Sequence, residues 1–246
     1  FTIINILLMY SIGFYGCLLF LKKYQLEIIP FSFLLLVFNF NGYFVEKITA
    51  YGPHFMGYFM FPYVFYILLQ IIDSDSKVKT HQLKYGICLG LFLVAMLYQG
   101  SIHLYVETIT FIILWLIFNI KYWKTIFIAL LTTFSVGSAR FLPGILTYGF
   151  GPNPHAYEWG GYSDIQKLFD GLLTLKHHLY YPIYSWWEYS LYISLPAVLI
   201  LFYFGLFSPY LNHKWCKFSG WKSLAFPLVI IVIISFRQLK LFIIPN

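Results

Sequence analysis

Long apolar runs broken by short connections, every second one of them basic, constrain this chain more than any other feature. A helix that crosses a bilayer needs about 20 mainly apolar residues, with a range of about 17–25. Runs of that kind cover residues 2–21, 26–42, 55–72, 84–99, 102–119, 124–146, 189–208 and 222–238. Lipid offers no partner for a free backbone N–H or C=O, so such runs must be helical. The expected fold is therefore all-α: a polytopic transmembrane bundle of about eight spans. Composition agrees: 60% of residues are hydrophobic and 10% charged, against roughly 25% charged in soluble domains. The net charge of +7 is spread over short connections and is no nucleic-acid signal.

The basic residues set an orientation. Lys22 and Lys23, then Lys77, Lys79 and Lys84, then Lys121 and Lys124, then Lys214, Lys217 and Lys222 occupy alternate connections. Lys47, Arg140, Lys167 and Lys176 fall in the others. Cytoplasmic loops carry the excess of Lys and Arg, so the first set is read as cytoplasmic. Arg237 and Lys240, after the last run, count mildly against this threading. With it, Glu46, Glu107, Glu158, Asp164, Asp170 and Glu188 fall on the non-cytoplasmic face, and Glu27, Asp73 and Asp75 on the other. Carboxylates held near a membrane usually have a use.

The chain is read as one transmembrane domain over 1–246, with an outer insert at 147–188. Phe1 already lies in an apolar run and Asn246 just follows one, which suggests a piece of a longer protein. Gly100 and Ser101 separate two runs that would make too long a single span, so a tight outer turn is expected at 99–103. Within the insert, residues 163–175 read as a short amphipathic helix: Ser163 can cap it, and Ile165, Leu168, Phe169, Leu172 and Leu173 share a face. The three cysteines show no disulfide framework or metal spacing.

Several outer residues could carry chemistry. Glu46 and Lys47 lie in the connection 43–54, where a solvated charge pair is the plain alternative. His54 follows Gly52-Pro53 and opens an apolar helix, where it could meet an anion beside free backbone N–H groups or simply cap the helix. His103 and Glu107 are four apart and share a helical face. They could serve a polar cavity, bond each other between helices, or supply two ligands to a divalent metal, too few to define a site. Arg140 is one of two arginines and ends a span in Gly137-Ser-Ala-Arg-Phe-Leu-Pro143. Its guanidinium suits a phosphate, and a snorkelling anchor is the alternative. Glu188 sits beside Trp186 and Trp187; the rings suit sugar stacking or an interfacial belt. His155, Glu158, Trp159, His177 and His178 decorate the insert. No phosphate-binding loop, zinc-protease motif or nucleophile elbow occurs.

Three segments together resemble the GT-C superfamily of polytopic membrane glycosyltransferases, nearest its bacterial YfhO-like branch. They are the Gly-Tyr-Phe…Gly-Pro-His54 entry to a Pro-containing run, the Ser-Ala-Arg140-Phe-Leu-Pro143 span end, and the Trp-Glu188-Tyr-Ser-Leu-Tyr192 start of a later run. Each is short and degenerate, although together they extend over most of the chain. The resemblance implies transfer of a sugar from a polyprenyl-phosphate carrier to a glycan or lipid acceptor on the non-cytoplasmic face of a bacterial plasma membrane. It implies phosphate binding by Arg140 and His54, a base among Glu46, Glu107 and Glu188, and substrate contacts at His103, Trp159 and Trp187. In that superfamily the usual base lies in the first outer loop, which on this threading would precede Phe1. A polysaccharide polymerase or ligase fits the same pattern, whereas a lipid-linked sugar flippase would need polar residues through the whole depth of the bundle.

Overall fold

The computed structural model describes residues 2–41, 44–45, 52–74, 79–148, 165–173 and 194–203, together with Pro227, Val229 and Ile230. Among these residues the ordered elements are helical and no strand occurs. They are α1 (Thr2–Tyr24), α2 (Ile28–Asn39), a 3-10 helix (Gly52–Met60), α3 (Phe61–Asp73), α4 (Lys79–Tyr98), α5 (Ile102–Phe118), a 3-10 turn (Ile120–Tyr122), α6 (Trp123–Tyr148), α7 (Ile165–Leu173) and α8 (Leu195–Phe202). The chain divides into two compact units, Phe1–Leu35 with Tyr51–Asn153, and Leu36–Ala50 with Pro154–Asn246.

Among the described residues, three helical stretches are long and apolar enough to cross a membrane: Ile3–Tyr24, Phe55–Asp73 and Thr80–Tyr98. A fourth is reached if Ile102–Phe118 and Ile120–Arg140, bent by 116° at the break between them, are taken together. The expected count of about eight is not confirmed. The run 26–42 yields only the 12 residues of α2, about 18 Å of helix against a hydrocarbon core of about 30 Å. Asn41 ends it: its side-chain amide donates to the carbonyls of Val37 (3.1 Å) and Phe38 (3.0 Å), and its Oδ1 accepts the Phe44 N–H at 2.9 Å. The run 189–208 is represented by α8, and most of 222–238 lies outside the described residues.

In the first unit, α1 runs parallel to the 3-10 helix and α3. Its contacts climb both segments in step. Tyr10 meets Phe59 with ring centroids 4.6 Å apart, and the Tyr63 hydroxyl donates to the Ile12 carbonyl at 2.7 Å. Phe20 meets Tyr66 edge-on at 5.9 Å, and Lys23 pairs with Asp73 at 2.6 Å. Gly16 allows the approach, since a Cβ there would stand 2.8 Å from the Pro62 Cβ.

The most extensive packing joins α4 to α6. Gly86 faces Thr125 and Ile128, Gly90 faces Ala129 and Thr132, and Tyr98 reaches Val136, so these helices are also parallel. Small residues four apart let the backbones meet, a packing mode favoured between membrane helices. Thr133, fully buried, donates to carbonyls on both sides, Ala129 at 2.8 Å and Gly90 at 3.3 Å. Between them α5 turns back. Outward faces are apolar, with Ile3 72% and Ile4 71% exposed on α1, and Phe127, Leu131 and Phe134 exposed along α6. A soluble monomer rarely shows such continuous apolar surface; lipid-facing helices require it.

In the second unit α7 packs against α8. The expected amphipathic helix of 163–175 is present as Ile165–Leu173, and its proposed cap Ser163 lies outside the described residues.

Candidate functional site

The first unit has two chemically different ends. At one end lie Lys22 and Lys23 on the last turn of α1 and Asp73 on the last turn of α3. The Lys23–Asp73 pair joins these turns, and the Tyr122 hydroxyl ties the α5–α6 connection to them by donating to the Ile72 carbonyl at 3.2 Å. Lys121 and Lys124 flank that connection, and α4 begins beside it with Lys79 and Lys84. Six lysines from three chain-distant connections therefore share one end, as alternate basic loops require.

The opposite end is built from three connections. The turn after α4 closes as a Schellman motif: Gly100 takes φ 80° and its N–H bonds the Leu97 carbonyl (3.0 Å), while the Ser101 N–H bonds that of Met96 (3.2 Å). This is the tight turn expected at 99–103. Ser101 is buried, and its Oγ accepts the Gly57 N–H at 2.8 Å, fastening the turn to the 3-10 helix. A Cβ on Gly57 would come within 2.6 Å of the Ser101 side chain, so only glycine permits this approach. The Tyr98 hydroxyl donates to the Val136 carbonyl at 3.2 Å, which brings the second half of α6 to the same end.

Four of the sequence-derived site residues stand on these elements. His54 lies on the 3-10 helix three residues before Gly57, and His103 follows Ser101 by two, so the histidines flank the Gly57–Ser101 contact in the chain. His103 and Glu107 are both exposed on α5, which does not fit a His–Glu bond buried between helices. Thr110 continues their stripe, its hydroxyl returned to the Val106 carbonyl at 2.9 Å. Arg140 is exposed one helical turn beyond Val136. Three residues further on, Pro143 lacks the N–H that would bond the Ala139 carbonyl, loosening the helix beside Arg140. Glu46, Trp159, Trp187 and Glu188 lie outside the described residues, as do His155, Glu158, His177 and His178. Among the described residues no three His, Cys, Asp or Glu side chains come together to hold a metal.

The elements thus gather a cation that stays charged, a carboxylate and two imidazole-bearing positions at the end away from the lysines. Such a set could bind a phosphate and accept a proton. Sequence reading missed the contacts by which Gly57, Tyr98 and Ser101 hold this end together. A glycine in an apolar run and a serine in a turn carry no signal of a contact 44 residues away. Compared with protein-family models, curated proteins and solved structures, the chain matches none. The resemblance to membrane glycosyltransferases rests on the chain's own short motifs.

Proposed function

We propose that the chain is a membrane glycosyltransferase that moves a sugar from a polyprenyl-phosphate carrier to an acceptor hydroxyl on the non-cytoplasmic face. One observation carries this reading: the elements bearing His54, His103, Glu107 and Arg140 meet at a single end, opposite the lysines. The chemistry needs such a juxtaposition. A carboxylate, Glu107 or one of Glu46 and Glu188, takes the proton of the acceptor hydroxyl. The acceptor oxygen then attacks the anomeric carbon. The bond from that carbon to the phosphate oxygen breaks, and the electron pair leaves with the phosphate. Charge builds on the leaving phosphate, where Arg140 and His54 stabilise it.

Transport gains less support. Among the described residues, the buried hydroxyls of Thr108 and Thr133 are committed to helix carbonyls, so these two do not serve a headgroup moving past them.

Arg140 is the test. Charge-assisted hydrogen bonds are worth roughly 1.5–3 kcal/mol each, so Arg140→Ala should lower sugar transfer by about tenfold to a hundredfold or more. Arg140→Lys keeps the charge but loses the two-pronged donor, and should impair transfer less. The assay is sugar transfer from a polyprenyl-phosphate donor in membranes holding the full-length protein at matched expression. Full transfer by both variants would make Arg140 an anchor and remove the phosphate site.

A further inference from the structure

The turn that carries Arg140 is tied to another helix by a single side chain. Tyr98 is the last residue of α4, and its hydroxyl donates to the Val136 carbonyl of α6 at 3.2 Å. In an α-helix the carbonyl of residue 136 also accepts the N–H of residue 140, so the tyrosine hydroxyl and the Arg140 N–H share one oxygen. Helix carbonyls point toward the C-terminus, so the phenol enters the turn from which Arg140 projects. Residues four apart share a helical face, and Val136 and Arg140 are both exposed on it.

That turn departs from regular helix on both sides of Arg140. Before it, the Ser138 hydroxyl returns to the Ser135 carbonyl at 2.9 Å, a local back-bond of the kind that bends helices. After it, Pro143 has no N–H for the Ala139 carbonyl, the commonest cause of a kink. A bond from α4 is therefore well placed to fix the turn, and the end of α4 is itself fixed. The Schellman turn follows Tyr98 directly, and Ser101 within it accepts the Gly57 N–H at 2.8 Å. A continuous series of contacts thus runs from the 3-10 helix bearing His54, through Ser101 and Tyr98, to the turn bearing Arg140. Tyr98 is 52% exposed, so its ring adds little to the core and its hydroxyl is the part that acts. We propose that Tyr98 is a positioning residue for Arg140: its hydroxyl holds the arginine where charge builds on the leaving phosphate. This role rests on the transferase reading, and Tyr98 acts through Arg140 rather than on substrate.

The test is a double-mutant cycle on sugar transfer in membranes holding the full-length protein, with Tyr98→Phe, Arg140→Ala and the two combined. Phenylalanine keeps the ring and removes the hydroxyl alone. A misplacement of about 1 Å can cost about a hundredfold in rate, and loss of one tether should cost part of that. In Tyr98→Phe, kcat/KM for the polyprenyl-phosphate sugar should fall about tenfold, with the acceptor KM unchanged. In the Arg140→Ala background the same change should cost less than about twofold, because no guanidinium is left to place. Binding of sugar-free polyprenyl phosphate to the purified full-length protein should show the same pattern in Kd, which keeps the cycle readable where the combined variant transfers slowly. An equal loss from Tyr98→Phe in both backgrounds, as a general folding defect would give, would overturn the positioning role. So would wild-type transfer by Tyr98→Phe where Arg140→Ala is impaired, as an interfacial tyrosine would give. Either result leaves the transferase reading standing. Wild-type transfer by Arg140→Ala would instead remove the phosphate site, and the role of Tyr98 with it.

Discussion

A hydroxyl and a missing Cβ hold the candidate site together at the residue scale. Gly57 and Ser101 are 44 positions apart, and neither is an obvious functional residue. Their contact fixes the 3-10 helix carrying His54 against the turn that precedes His103. A nine-residue 3-10 stretch is unusually long, and Pro62, which cannot donate to the preceding turn, marks the change to α-helix at Phe61. Gly57→Ala should therefore cost about 1–3 kcal/mol through overpacking. In a Ser101→Gly background the same substitution should cost less, by at least about 0.5 kcal/mol, because neighbouring residues couple. Thermal unfolding of the four proteins in detergent measures this, and strictly additive effects would contradict the contact. Sequence reading placed His103 and Glu107 on one face correctly, because a spacing of four admits little else on a helix. Their exposure was not legible, since burial depends on partners that spacing does not name.

Helix limits were readable where an apolar run ends in a breaker. The runs expected at 55–72 and 102–119 appear as Phe55–Asp73 and Ile102–Phe118, bounded by polar residues and by the Gly100–Ser101 turn. Elsewhere local hydrogen bonding prevailed over hydropathy. Asn41 draws α2 to a close before 42, and α4 begins at Lys79 because polar Thr80, His81 and Gln82 extend the helix beyond its apolar stretch. Partner choice was the least legible. Hydropathy cannot show that Gly86 and Gly90 turn toward α6, whereas their Cβ positions do. At Gly90 an added Cβ would lie 2.6 Å from the Ala129 carbonyl oxygen and 2.7 Å from the Thr132 Cβ. Gly90→Ala gains about 1 kcal/mol of helix propensity, but backbone cannot yield as a flexible side chain does. The net effect should be a loss of about 1–2 kcal/mol, within the usual overpacking cost. Unchanged or greater resistance to unfolding in detergent would show that α4 and α6 do not meet there.

At the largest scale the structure supports, that of the first unit, the organising feature is polarity along its helices. Parallel α1 and α3, parallel α4 and α6, and the reversal through α5 carry lysines to one end and His54, His103, Glu107 and Arg140 to the other. The positive-inside rule leads us to expect the lysine end in the cytoplasm, and the proposed transfer from an outer carrier needs the Arg140 end outside. Single-cysteine accessibility tests this directly in the full-length protein with Cys17, Cys88 and Cys216 replaced. Ile102, exposed beside the Schellman turn, and Lys121, exposed at the opposite end, are the reporter positions. In intact cells a membrane-impermeant maleimide should label Ile102→Cys and spare Lys121→Cys until the membrane is opened. Labelling of position 121 with protection of position 102 would invert the molecule and contradict an outward-facing phosphate site.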